Sequence, residues 1–258
     1  MKIAALQMNI EWHDREANFL KVALFAEKAR ATGAETLILP EMFSTGFSMD
    51  LNATSEPIDG PAPSFMRRLA RDLDMGIVGG FALRKRCGGT ENVALAVDRR
   101  GADLALYAKI HQIALLGEEK SYKPGKKPAP FGMGGFGAAC FICYDLRFPE
   151  LFRTVVDKCG LIIVIASWPS TRQAHWDILL KARAVESQSF IVGVNRIGEG
   201  GGHSFSGGTA IIDPSGEIIA VAGDSETLVT ATIYPDTVSC VRAKMPFLVD
   251  RKPWLLKT

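Results

Sequence analysis

Cysteine is scarce and odd in number: Cys87, Cys140, Cys143, Cys159 and Cys240 are spread over 258 residues. That pattern excludes a disulfide framework, and reduced thiols in a cytoplasmic protein are the expectation. Long apolar runs are missing as well. None approaches the ~20 residues of a membrane-spanning helix. The apolar part of "MKIAALQMNIEWHD" is too short, and too soon followed by acids, for a signal peptide. Nor is there an excess of one charge. Thirty basic and 28 acidic residues leave a net +2, with no block of either sign, which argues against nucleic acid or an anionic membrane as partner. Low-complexity and linker-like stretches are also lacking. "KPGKKPAP", Lys123 to Pro130, reads as a surface loop rather than a boundary, so residues 1–258 read as one domain. The glycine-rich "GEGGGHSFSGG", Gly198 to Gly208, lacks the Lys-Ser/Thr that closes a phosphate loop. It reads as a flexible loop, and nucleotide binding carries little weight.

What is present is an alternation of short elements. "KIAALQM" reads as a strand. Asp14 caps a helix to about Thr32, with Phe19, Val22, Ala26 and Ala29 on one face. "TLILPE" is a buried strand ending in Pro40-Glu41, and a helix follows around Ser64 to Leu73. "GIVGGFA", "NVALAVD" and "ADLALYAKI" are strands, the last two joined by a tight turn. The order then repeats with "GAACFIC", a helix begun by Pro149, "LIIVIAS", a helix from Ala174 to Ser187, and "FIVGVNR". "TAIIDPSGEIIAVA" is a hairpin with Pro-Ser-Gly at its turn. "LVTATI" is the last strand, before a short helix and tail. Helices and strands alternate, but hairpins interrupt them, so the fold class is α/β with mixed sheets.

Chemistry concentrates in "ACFICYDLRFPE", Ala139 to Glu150, where an apolar strand runs into a thiol and then into charge. Cys140 and Cys143 make a C-x-x-C pair. Three residues along a strand they lie ~10 Å apart and face opposite ways, too far for a disulfide. No second cysteine pair and no histidine pair at ligand spacing completes a zinc site, so no metal is expected. A buried thiol is commonly structural, which suits Cys140, Cys159 and Cys240. Cys143 lies where a strand turns into a helix, the layout of a nucleophile elbow, and a nearby helix N-terminus and cation would lower its pKa. Position alone leaves catalytic and structural roles balanced. Glu41 and Lys109 end two other strands. Each is individually explained as a solvated cap or a snorkelling lysine, yet together they offer a thiol nucleophile its base and its oxyanion cation.

"LILPEMFSTGF", "YAKIH" and "FICYDLRFPELFR" resemble the three signature segments of the nitrilase superfamily, the carbon–nitrogen hydrolases. The likeness runs from "ALQMNI" to "DPSGEII" and includes "SWPSTRQAHWDILLKARAVESQSFIVGVNR". It places Glu41, Lys109 and Cys143 on that family's Glu-Lys-Cys triad, in order. A second glutamate precedes a Tyr-x-x-Gly loop in the family. "GEEKSYKPG" supplies one, and its spacing to Tyr122 favours Glu118 over Glu119. The resemblance implies a four-layer α-β-β-α sandwich, a homodimer or higher homo-oligomer with residues 235–258 contributing to its contacts, and hydrolysis through a thioester without any cofactor. Glu41 would be the base, Lys109 and the Tyr144 N–H the oxyanion donors, and Glu118 would orient Lys109 or the substrate.

Within the superfamily "PEMFSTGFSM" and "ASWPSTRQAHW" most resemble the omega-amidase branch, which hydrolyses the terminal amide of 2-oxoglutaramate and 2-oxosuccinamate. A substrate with a far carboxylate needs a cation. Arg172 is the candidate, with Phe43, Tyr144 and Trp168 as pocket walls. An exposed loop arginine is the equal alternative. Asp145, Arg147 and Glu150 read as local scaffold, Arg183 and Glu186 as a structural i, i+3 pair, and His175 as packed at a helix start. His111 and His203 have no assigned role. Hydrolases of other amides or carbamoyl groups, a thiol acyltransferase and a binding module on the same fold are the competing readings.

Overall fold

The structure is a computed structural model that describes residues 1–252. Its first sheet runs in the order Thr227–Thr232, Lys2–Gln7, Thr36–Ile38, Gly76–Arg84, Thr90–Val97, Asp103–Ala108, with Ser55–Glu56 added beside Gly76–Arg84. Its second runs Ile218–Val221, Ala210–Ile212, Phe190–Asn195, Leu161–Ala166, Phe136–Ile142, Phe131–Met133. In each sheet the three central strands are parallel and the flanking pairs antiparallel. This is the mixed α/β architecture that the hairpins imply.

Side-chain alternation along the strands builds the layers. Ile3 and Ala5 point into a core shared with the second sheet, together with Ile38, Val78, Ala94 and Ala96. Ala4 and Leu6, one residue out of phase, join Val22, Ala26 and Ala29 of the helix Arg15–Ala31 and Met66 and Leu69 of Pro61–Leu73. On the far side, Trp176, Leu180 and Ala184 of the helix Gln173–Ser187 cover the second sheet. The result is helix, sheet, sheet, helix, with the two sheets face to face.

Three elements differ from the sequence expectation. The helix around Ser64 to Leu73 starts at Pro61, because Pro61 suits a first turn and the Glu56 carboxylate accepts the Ala62 N–H at 2.7 Å. The segment Gly198 to Gly208 is no loose loop. It folds as a hairpin, Ile197–Gly200 against His203–Ser206. A Cβ on Gly200 or Gly201 would lie 2.6–2.7 Å from the Trp12 ring, as would one on Gly46, so these glycines let two backbone segments close on one indole. The strand expected to run to Pro40 ends at Ile38. The last six residues of the tail region 235–258 lie outside the described residues; its first part is the helix Pro235–Lys244.

Candidate active site

Glu41 follows the strand Thr36–Ile38, Lys109 follows Asp103–Ala108, and Cys143 follows Phe136–Ile142. The first two belong to one sheet and the third to the other. Face-to-face packing brings all three strand ends to one place. The Lys109 ammonium lies 3.4 Å from Glu41 Oε1 and donates to both oxygens of Glu118, at 2.9 and 2.8 Å. All three side chains are buried. Glu118, in the short helix Glu118–Ser121, also accepts the Ile113 N–H, whereas Glu119 is exposed. Glu41 is held at its other oxygen by the Ser167 N–H at 2.7 Å, and the Ser167 carbonyl lies 3.9 Å from Cys143 Sγ. The backbone of one residue thus touches both the carboxylate and the thiol.

Cys143 opens a tight 3₁₀ turn with φ +46°. Left-handed backbone at a side-chain-bearing residue costs about 1–2 kcal/mol, so the surroundings must impose it. Asp145, fully buried, accepts the Ile142 N–H at 3.1 Å, the Tyr107 hydroxyl at 2.8 Å and the His111 N–H at 3.0 Å, and its Oδ1 lies 2.9 Å from the His111 ring. These contacts tie the thiol turn to the strand end that carries Lys109, across the gap between sheets. Arg183 donates twice to the Leu146 carbonyl, at 3.1 and 2.8 Å, while keeping its Glu186 partner at 2.9 Å. It braces the turn as well as its own helix.

The electrostatics correct one expectation. The Cys143 thiol is held well above its ordinary pKa, first by burial and then by the Glu41 charge, with Lys109 opposing. Beside the thiol the charge of Glu41 opposes a second anion, and a resting thiolate would sit buried against it. The turn after Cys143 is also too short to supply a strong helix N-terminus. Burial raises Glu41 too, against Lys109 and against donors from Asn92 and Ser167. Burial disfavours the Lys109 charge, but Glu41 and Glu118 outweigh it and hold the ammonium charged. Such a site keeps a neutral thiol beside a buried acceptor for its proton.

Above the thiol opens a cleft lined by Phe47, Lys109, Cys143, Trp168, Arg147 and Arg172, about 300 Å³ with its mouth included. Arg147 lies 4.6 Å over the Trp168 ring and 5.7 Å over Tyr144.

The carbon–nitrogen hydrolase profile matches residues 2–243. A 2-oxoglutaramate amidase from Bacillus subtilis is 31% identical to the chain over 96% of each. Among solved structures, a CN-hydrolase superfamily protein from Xanthomonas campestris, with an arsenic adduct in its active site, superposes with a TM-score of 0.92 at 31% identity, over 98% of this chain and 97% of the other. A mutant amidase from Nesterenkonia sp. AN1, with acrylamide added to its active-site cysteine, gives 0.84 at 28% identity over 95% and 98%. The chain belongs to the carbon–nitrogen hydrolase family. It is an enzyme of the amidase kind, a cysteine amidohydrolase.

In this carbon–nitrogen hydrolase the structure brings Glu41, Lys109, Glu118 and Cys143 together and sets Tyr144, Trp168 and Arg172 on the cleft wall. Phe43 is a correction. It is fully buried behind the site, against Phe19 and Phe65, and Phe47 takes the wall position instead. Arg147 is a second correction, since it faces the cleft rather than pairing with Asp145 or Glu150. His175 is a third. It is exposed, and its ring nitrogen lies 3.3 Å from the Arg147 guanidinium. Sequence reasoning also missed Asn92, whose amide nitrogen reaches Glu41 Oε1 at 2.7 Å and Glu118 Oε1 at 3.2 Å. Its signal was available, a polar residue in a strand that is otherwise apolar from Val93 to Val97. The Ser167 contribution is made by backbone and has no side-chain signal.

Proposed function

We propose that this chain is an omega-amidase, hydrolysing the terminal amide of a small carboxylate-bearing amide of the 2-oxoglutaramate or 2-oxosuccinamate type to acid and ammonia. One observation carries the substrate reading: the cleft presents two guanidiniums, Arg147 and Arg172, with no carboxylate partner among the described residues. Burial and the neighbouring Arg172 both lower the Arg147 pKa, with Tyr144 opposing. A pair of crowded cations is relieved by an anion. The 31% identity to a 2-oxoglutaramate amidase supports the same class.

The reaction follows from the site. Glu41 takes the Cys143 proton as Sγ bonds to the amide carbon. The carbonyl oxygen becomes an oxyanion, met by the Lys109 ammonium and the Tyr144 N–H. A donor of this kind contributes about 10²–10³ in rate. Glu41 returns the proton to nitrogen, the carbon–nitrogen bond breaks, ammonia leaves and a thioester remains. Water then adds, giving its proton to Glu41. The carbon–sulfur bond breaks, the acid departs and the thiol regains its proton. Glu118 holds Lys109 in place. Trp168, Tyr144 and Phe47 supply the cleft walls. The helix Gln173–Ser187 turns Ile178 and Val185 outward, 65% and 51% exposed, and this reading assigns that face to a homodimer contact.

The test is ammonia release from 2-oxoglutaramate, 2-oxosuccinamate and the neutral butyramide, by wild type and by Cys143→Ala. Release from the two carboxylates, weak release from butyramide and none from the mutant is the expected pattern. Equal turnover of butyramide would sink the substrate assignment, and an active mutant would sink the mechanism.

A further inference from the structure

Asn92 sits at the centre of the site without belonging to any of its catalytic segments. It lies near the start of the strand Thr90–Val97, and its carbonyl accepts the Lys109 N–H at 2.8 Å, so the backbone pairing that positions Lys109 passes through it. Two residues earlier, Thr90 pairs with Tyr122, the residue that ends the Glu118 helix. The side chain completes the junction. Nδ2 donates to Glu41 Oε1 at 2.7 Å and to Glu118 Oε1 at 3.2 Å.

The amide can stand only one way. Both neighbours are carboxylate oxygens, so turning the group over would aim Oδ1 at two acceptors. In the orientation kept, Oδ1 is buried with no hydrogen-bond partner among the described residues. An orphaned buried acceptor lowers stability, and an apolar residue at this buried position, next to the apolar run Val93 to Val97, would avoid it. The donor is present despite that cost, and both of its partners are the carboxylates of the site.

We infer that Asn92 is a positioning residue for the base: its two amide N–H groups hold the Glu41 and Glu118 carboxylates side by side as acceptors and keep Glu41 aimed to take the proton of Cys143. This rests on the reading of Glu41 as general base. The titratable groups around Glu41 are Lys109, Glu118, Cys143 and Tyr122. Burial raises Glu41, Lys109 opposes that, Glu118 adds to it, and the Asn92 and Ser167 donors lower it. Without Asn92 one lowering contact is gone, so Glu41 keeps its proton to higher pH. Tyr122 and Cys143 are raised and Lys109 stays charged, so they do not set the acid limb.

The experiment measures kcat and KM for 2-oxoglutaramate against pH in wild type, Asn92→Leu, Asn92→Ser and Cys143→Ala, with thermal unfolding as a check on folding. The rate of Cys143 alkylation by iodoacetamide against pH is a second readout that needs no turnover. Asn92→Leu should lower kcat about 10- to 100-fold, the scale of a hydrogen bond to a charged group, with KM little changed. Its acid limb and its alkylation profile should both move to higher pH. Asn92→Ser, which keeps a donor on the strand and covers the case of a Leu variant that does not fold, should fall between. A folded variant with lower kcat and an unmoved acid limb would make Asn92 merely structural and overturn the inference. If Cys143→Ala is inactive and the Asn92 profiles still coincide with wild type, only the inference fails. If Cys143→Ala remains active, the base assignment fails and takes the inference with it.

Discussion

At the scale of the residue, the general-base role proposed for Glu41 runs against its own contribution to stability. It is a buried carboxylate with a raised pKa, while the unfolded chain ionises it near the ordinary value. The folded state therefore binds its proton more tightly. Below the unfolded pKa both states are protonated and there is no penalty. As pH rises through the raised folded value, ionising the buried group removes stability. Glu41→Gln removes that penalty and leaves Lys109 with its two bonds to Glu118. Its melting temperature relative to wild type should rise from pH 4 to pH 7.5, while amide hydrolysis is lost. Calorimetry at both pH values checks this, and a difference independent of pH would contradict it. In wild type the same raised pKa puts the acid limb of kcat/KM above the ordinary carboxylate range, which a pH profile measures. Glu118 behaves differently, since its removal leaves Lys109 with one contact at 3.4 Å. Breaking a buried pair of this kind costs about 3–5 kcal/mol, so Glu118→Ala should lose both stability and rate.

At the scale of the element, the strand ends are set by close backbone approach. A Cβ at Gly80 would lie 2.9 Å from the Met42 nitrogen and 3.0 Å from the Glu41 Cα. Those are backbone atoms, and Met42 is itself held at φ +45°, so neither can retreat without moving Glu41. A Cβ at the neighbouring Gly79 meets Leu39 and Met66 side chains at 3.2–3.3 Å, and the Met66 chain is flexible. Gly80→Ala should therefore reduce kcat/KM by about tenfold or more, on the scale of a catalytic group misplaced by a fraction of an ångström. Gly79→Ala should cost mainly stability. Comparing turnover at equal folded fraction separates the two. Asp145 works at this scale too. It joins the turn of one sheet to the strand end of the other, so the distance between Cys143 and Lys109 depends on a residue that touches neither.

At the scale of the whole molecule, the outward face of the helix Gln173–Ser187 makes a prediction. The other face of that helix packs Trp176, Leu180 and Ala184 onto the sheet, so Ile178 and Val185 play no part in the fold of one chain. Ile178→Asp should leave the melting curve of the monomeric unit nearly unchanged, as surface substitutions commonly do within about 0.5 kcal/mol. In sedimentation velocity it should convert a dimer to a monomer. A wild type that sediments as a monomer at micromolar concentration would remove the homodimer reading. No described helix is long and apolar enough to cross a membrane.

Local chemistry sufficed for most of the elements and singled out Glu41, Lys109 and Cys143, which the fold brings to one place. The alternation of apolar residues marks strands and helices, Pro149 marks a helix start, and the segments around Glu41, Lys109 and Cys143 carry their likeness in runs of adjacent residues. Whatever depends on residues distant in the chain was not legible. Phe43 and Phe47 are equally aromatic and four residues apart, and only the packing of Phe19 and Phe65 decides that one enters the core and the other the cleft. Arg147 looks like a partner for Asp145 until the Asp145 oxygens are seen occupied by Ile142, Tyr107 and His111. The glycine run near Gly200 reads as loose until the Trp12 ring, almost 190 residues away in the chain, fills it. The thiol was expected to be acidified by its neighbours. Burial together with Glu41 from the other sheet and Glu118 from a short helix reverses the sign, because an electrostatic balance sums over space rather than over sequence.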